Sequence, residues 1–487
     1  MSGPPAVLGL DVGTSQAKAL LCAADGTVLG PVLGRGVAGY QVSTPRDRWA
    51  ETDPEHWWQA ARTAVRSAVG AARAEVAALA VVGQMHGVVL YSERAGVLRP
   101  AVVWLDQRAD AEVAQYRRLP SDLLARLGNA PSAGMAGPIL LWLAGHEPGA
   151  YRRADWMLPP KDWLRTRLVG APGTDPTDAS GTLLYDLDRG AWAAGVAEAL
   201  GLRTGLLPPI LPSAEVAGTL RPDAAEHLGL PAGLPVAVGS SDTAASLLAT
   251  DLPDGWGLLT LGTGGQWIVP TASVSPKAGT NLFRAVGGGN FRLAGAQNVG
   301  VTLDWVRRVL GASWAELYAT AARPWRPGSP VFLPYLAGER WVDRDTGGAW
   351  TGLTLAHQRD DLMRAALEGV AFLLRRHLDG LRAAGCAPAR VMLAGGGSQD
   401  RAWRQLLADA LAVPLHPAAD QETGWLTARG AVLLAARAAG LAARAATPGR
   451  SDHGPAPVEP SGSGPAERAY RAVLADLAAR GLVSPGG

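Results

Sequence analysis

Two aspartates stand where a carboxylate could act on a substrate. Asp11 opens the run Asp11-Val12-Gly13-Thr14-Ser15, between apolar stretches at 7–10 and 19–22. Glycine lets a chain turn tightly while backbone N–H groups point into one space. Thr14 and Ser15 add hydroxyl donors, and a carboxylate at the strand end could hold Mg²⁺ through water. Lys18 follows on the return strand, where its ammonium could reach a phosphate. The plain alternative is a hairpin whose turn Asp11 caps. Asp242 lies in Gly239-Ser240-Ser241-Asp242-Thr243, after an apolar strand and before a small-residue helix. It could N-cap that helix, or face a cleft and take a proton from a substrate hydroxyl.

Other polar groups cluster beside glycines. Gly262-Thr263-Gly264-Gly265 repeats the first turn at an offset of 249 residues, with Thr260 where Asp11 stands. Two such turns facing each other could grip the phosphates of a nucleotide. Gly395-Gly396-Gly397 follows a strand and precedes a helix, so a ligand could approach closely. It matches neither the GxGxxG nor the GxxxxGK[ST] pattern. Gln84 and His86, in Gly83-Gln84-Met85-His86-Gly87, could hydrogen-bond a polyol. Trp104 beside Asp106 and Arg108 offers an aromatic face with a carboxylate and a guanidinium, although Asp106 and Arg108 would also make an ordinary surface pair.

These residues need rigid elements to hold them. Short apolar runs at 7–10, 77–82, 236–238, 258–261 and 391–393 read as buried strands. Amphipathic stretches at 54–72, 360–384 and 401–412 read as helices, the first with Asp53 as N-cap and Pro54 at its first position. The mixture indicates an α/β protein. A repeat at half the chain length indicates two domains of one topology, meeting near 240–256, where a hinge is expected. The expected division is 1–245, 246–446 and a remainder, 447–487. In that remainder, 447–465 reads as a Pro/Gly/Ser linker and 467–482 as a terminal helix.

Composition removes several classes. The chain has 487 residues, 48% hydrophobic and 18% charged, enough for a large core. Its 45 basic and 43 acidic residues leave a net charge of +2, so no nucleic-acid partner is expected. Lys18, Lys161 and Lys277 are the three lysines in an otherwise arginine-based set. Cys22 and Cys386 form no CxxC or His/Cys cluster, which leaves zinc without ligands and suits a reducing cytosol. No signal-peptide pattern and no long apolar run are present, so a cytoplasmic protein without a membrane span is expected.

Taken in order, the motifs resemble those of the FGGY carbohydrate kinases, over roughly residues 6–440. They include the Asp-x-Gly-Thr-Ser start, Trp49 to Glu55, and Gly83 to Gly87. Leu98 to Trp104, Lys161-Asp162, Thr177 to Thr182, the Asp242 segment, Phe332 to Arg340, Leu367 to Val370 and the triple glycine follow. The Gln-Met-His-Gly element brings the chain nearest to the xylulokinases within that family. The resemblance implies two RNase H-like domains of the actin-like ATPase superfamily, with a cleft between them. It implies ATP and Mg²⁺ on the C-terminal side and a sugar on the N-terminal side, with a homodimer as the assembly to test for. It assigns Asp242 as general base and Asp11 to Mg²⁺ and phosphates. Gly13, Thr14, Lys18, Gly262 and Thr263 fall at phosphate-side positions, and Gly300, Gly396 and Asp400 near the adenosine. Met85, His86, Trp104 and Asp106 fall on the sugar side. Departures from the pattern are Leu105, Thr243, Gly264, Ile139 and Trp341-Val342. They leave a pentulose favoured and another ketose or a polyol open. A sugar-sensing relative without turnover, and an actin-like filament or chaperone ATPase, are the other classes.

Overall fold

The computed structural model describes residues 5–24, 29–70, 72, 74–277, 279–326, 328–336, 338, 347–418, 424–441 and 456–479. Glu339, Arg340, Trp341 and Val342, and the first part of the expected linker, 447–455, lie outside them. Two mixed sheets organise the chain. The first has seven strands, ordered Val216–Thr219, Pro235–Ala237, Val76–Gly83, Ala6–Val12, Gln16–Ala24, Leu29–Gly39, with Ser240–Ser241 also on Val76–Gly83. The second has six: Asn281–Arg284, Asn290–Ala296, Gly265–Thr271, Trp256–Leu261, Arg390–Ala394, Leu415–Pro417.

The internal echo is a repeat of topology. Ala6–Val12 pairs antiparallel with the strand after its glycine turn and parallel with Val76–Gly83. Trp256–Leu261 does the same with Gly265–Thr271 and Arg390–Ala394. Each central strand is apolar on both faces, because helices cover both. Leu8, Leu10 and Val12 pack with Trp57, Ala61 and Val65 of the helix Pro54–Gly70. Asp53 Oδ1 accepts the Glu55 N–H at that helix's start, as an N-cap should.

The opposite face of the first sheet is covered from the far end of the chain. Helix Leu426–Ala438 lies on it, sharing a cluster with Val7, Leu20 and Val82. A Cβ on Gly9 would stand 2.5 Å from the Ala428 carbonyl oxygen, so only glycine admits the helix this closely. Helix Asp242–Thr250 packs across it at an equally tight crossing, where a Cβ on Gly430 would stand 2.1 Å from the Ala245 oxygen. Ala244 and Ala249 of that helix join the cluster containing Leu258, Ile268 and Met392 on the inner face of the second sheet. The span 240–256 is therefore mostly helix. Arg359–Ala383, Arg401–Leu411 and Ser463–Ala479 cover the outer face. The last begins inside the expected linker, and Val458 exchanges backbone hydrogen bonds with Leu415. Among the described residues no helix is long and apolar enough to cross a membrane.

Candidate active site

Sheet register brings the two aspartates together. Asp11 and Ser240 both pair with Val82, and Val12 and Ser241 both pair with Gly83. The strand ends are thus level, and Asp242 emerges just beyond. The helix cap is Ser241, whose side chain accepts the Ala244 N–H. Asp242 is therefore the first helical residue rather than the cap. Its Oδ1 takes the Thr243 N–H at 2.6 Å and the Thr243 hydroxyl at 3.1 Å, while Oδ2 takes no hydrogen bond among the described residues. Burial pushes the Asp242 carboxyl up to about 6, against the two Thr243 donors. Asp11 is pushed up to about 7 by burial and then by Asp242, with Lys18 opposing. Its Oδ1 is buried without a hydrogen-bond partner.

Lys18 pairs across from Asp11. Its Nζ donates to the Gly424 carbonyl at 2.7 Å and lies over the Trp425 ring, which ties the strand to the start of helix Leu426–Ala438. The Gly13 turn is braced from three sides. Gln84 Nε2 and the Tyr40 hydroxyl both donate to the Gly13 carbonyl, and Trp104 Nε1–H donates to Thr14 Oγ1 at 2.9 Å. No acceptor is recorded among the described residues for the Thr14 and Ser15 N–H groups.

The second turn is built from close glycine contacts. The Gly262 N–H donates to the Gly264 oxygen, and the Val301 N–H to the Thr263 oxygen. A Cβ on Gly300 would stand 2.2 Å from the Gly262 oxygen, and one on Gly395 2.2 Å from the Leu261 oxygen. Gly262, Thr263, Gly300 and the triple glycine thus converge on the end of one strand, with open space at Gly396. Asp400 caps helix Arg401–Leu411 by accepting the Trp403 N–H. It borders a cavity of about 1480 Å³ with Arg323, Arg364 and Arg401, which none of the other expected site residues lines.

A cavity of about 740 Å³ lies between the halves of the chain. His86, Trp104, Leu105 and Gln107 line it from one side, Asn281 and Gln297 from the other. His86 has φ +69°, a left-handed conformation costly for a residue with a Cβ. Its Nδ1 lies 2.7 Å from the Gly181 carbonyl, which can only accept, so Nδ1 carries the proton. Met85 is buried against Gly181, behind His86. Asp11 and Asp242 do not line this cavity; the Trp104–Thr14 bond joins it to the first turn.

Asp106 departs from the sugar-side expectation. It is fully buried, and both oxygens are used: it accepts from the Ala50 N–H and, three times, from Arg108. The pair with Arg108 is present, yet it is not on the surface. Arg108 also meets Glu51 and stacks over Trp49, 3.6 Å from the ring centroid. Asp106 thus serves the wall behind Trp104. Sequence reasoning missed Tyr40, whose tyrosine-to-glycine contact has no local signal. It also passed over Gln107, Asn281 and Gln297, which only the fold assembles.

The Asp11 carboxylate, with its buried and unpartnered Oδ1, suits a magnesium ion. Mg²⁺ in kinases takes one or two carboxylates and leaves its other positions to phosphates and water. Among the described residues no group of three or more His, Cys, Asp or Glu forms a fuller metal site.

Residues 6–249 match the FGGY family of carbohydrate kinases, N-terminal domain, and residues 257–439 match its C-terminal domain. The chain is 34% identical over 455 residues to a xylulose kinase of Escherichia coli, covering 91% of each. It is 34% identical over 450 residues to one of Streptomyces coelicolor, covering 90% of this chain and 88% of the relative. The crystal structure of a xyloylose kinase from Brucella ovis superposes with a TM-score of 0.87 at 31% identity, covering 98% of this chain and all of the other. That of Plasmodium falciparum glycerol kinase with ADP gives 0.84 at 17% identity, which shows a shared fold alone. The chain belongs to the FGGY family of carbohydrate kinases, ATP-dependent phosphotransferases built on two actin-like α/β domains.

Proposed function

We propose that the protein phosphorylates a ketose, with D-xylulose as the acceptor and D-xylulose 5-phosphate as the product, and that Asp242 is its general base. The observation that carries the role of Asp242 is its release from capping. Ser241 caps the helix, so the Asp242 carboxylate keeps an oxygen for substrate. With a carboxyl pushed up to about 6, Asp242 is ionised at neutral pH yet basic enough to help a hydroxyl lose its proton.

In this reading the acceptor rests between Trp104 and His86. As its oxygen attacks the γ-phosphorus, the P–O bond to the β-phosphate breaks, ADP leaves, and the hydroxyl proton passes to Asp242. The N–H groups of the Gly13 and Gly262 turns hold the phosphates, and Gly300 and Gly396 border the adenosine. Such transfers need positioning and charge stabilisation more than covalent help. Asp11 would hold Mg²⁺, which neutralises phosphate charge when bound. The sugar is supported by the xylulose kinase relatives named above and by the Gln-Met-His-Gly element. Leu105, which lines the cavity and is 43% exposed, gives it an apolar wall and keeps another ketose or a polyol as the second reading.

The test is a panel of ketoses and polyols with Mg·ATP, following ADP release and the mass of the product. D-xylulose should be turned over with the highest kcat/KM. No ADP release with any sugar, or turnover undiminished by Asp242→Asn, sinks the reading.

A further inference from the structure

Behind the strand that ends at Asp242 lies a fully buried ionic cluster that the proposed reaction does not use. Lys161 Nζ lies 2.6 Å from Asp162, 3.1 Å from Asp175 and 3.2 Å from Asp178, with Arg165 alongside. Burial opposes the Lys161 charge, but the three carboxylates outweigh it and the net direction is upward. Asp178 is held well above the usual carboxylate range, chiefly by burial. A buried charge stays ordered only if it is paired and hydrogen-bonded.

Among the described residues, one side chain carries the cluster's hydrogen bonding to the Ser241 backbone. Asp175 Oδ2 accepts from the Thr177 hydroxyl at 2.8 Å, the Thr177 N–H at 3.0 Å and the Ser213 hydroxyl at 2.6 Å. Thr177 Oγ1 in turn accepts the Ser241 N–H at 2.8 Å. Ser241 is the cap that frees Asp242. The hydroxyl has one hydrogen, spent on Asp175, so its oxygen is directed at Ser241. The chain of contacts Lys161, Asp175, Thr177, Ser241 thus ends one residue from the carboxylate that must meet the acceptor. The aliphatic part of Lys161 also packs beneath the neighbouring strands: a Cβ on Gly83 would stand 3.2 Å from Lys161 Cβ.

We propose that Thr177, oriented by the buried Lys161–Asp175 pair, is a positioning residue for Asp242. It touches neither substrate. Its hydroxyl fixes the backbone at Ser241 and hence where the Asp242 carboxylate points. This rests on the reading of Asp242 as general base. Positioning of this kind acts on the reacting geometry, where an ångström of displacement can cost about a hundredfold in rate.

The experiment compares wild type, Thr177→Val and Thr177→Ser with the best sugar of the panel. Valine keeps the shape and removes the oxygen; serine restores it. Thr177→Val should lower kcat about tenfold or more and change both KM values less than about twofold, and Thr177→Ser should recover most of the rate. Unchanged kcat in the valine variant overturns the proposal, as does a loss that serine does not restore, which marks a structural role. Should Thr177→Val not fold, Thr177→Ala carries the same comparison; misfolding of both shows the hydroxyl serving stability and also overturns it. An inert wild type sinks the kinase reading itself, whereas an active wild type with an equally active valine variant sinks only the role of Thr177.

Discussion

Asp11 and Asp242 share one electrostatic problem: two carboxylates in a poorly solvated space, one pushed up to about 7 and the other to about 6. A general base must be ionised. With sugar varied and Mg·ATP saturating, so that Asp11 is held ionised, kcat/KM should therefore be flat above pH 7 and fall about tenfold per unit below pH 6; an acid limb near pH 4 would show Asp242 unperturbed. The same shift has a cost in stability. A carboxylate whose folded pKa is raised binds its proton more tightly in the native state. Its contribution is most favourable below the unfolded value near 4 and is lost as pH rises through 6 to 7. Asp11→Asn and Asp242→Asn should each raise the melting temperature of the ligand-free protein at pH 8 by about 1–3 °C, with little change at pH 4. At this scale the sequence was readable for position, since Asp11 stands at its strand end and His86 lines the cavity. It misled at Asp106, because Asp-x-Arg looks the same on a surface as in a wall. Only burial and the Ala50 contact separate the two.

The helix Leu426–Ala438 is closely constrained on two sides, by Gly9 and by its crossing at Gly430. It left no amphipathic stripe to read, since Leu426, Ala428, Gly430, Val432, Leu433 and Leu434 are all buried around its circumference. Its partner is the short helix after Asp242, and their crossing depends on Gly430. Gly430→Ala would place a methyl carbon inside the Ala245 carbonyl, forcing the helices apart. A loss of about 1–3 kcal/mol is expected, measured by chemical denaturation, with kcat falling as well because Asp242 rides on the displaced helix. Strands were easier to place. Both glycine turns end strands at equivalent points, so the offset of 249 residues aligned the central hairpin of each sheet. The last helix began earlier than expected, at Ser463, because a proline tolerated in a first turn had the look of a linker.

For the molecule as a whole, the two sheets are less independent than a sequence repeat suggests. One crossing helix belongs in sequence to each half, and each lies among apolar residues of the other. Lys18 adds a cross-tie by holding the Gly424 carbonyl, and Asn129 exchanges two hydrogen bonds with the backbone of Leu282. Motion that closes the cavity must then bend around the helix pair rather than at a slack connector.

Val7, Leu20 and Val82 acquire their roof only after more than four hundred residues have been made. A nascent first half thus waits with a bare apolar floor, and the sequence boundary is a poor place to cut. Residues 1–250 produced alone should aggregate and bind a hydrophobic dye. Supplied together with 251–487 they should remain soluble and co-purify. A stable, dye-silent fragment would show that the missing roof is dispensable.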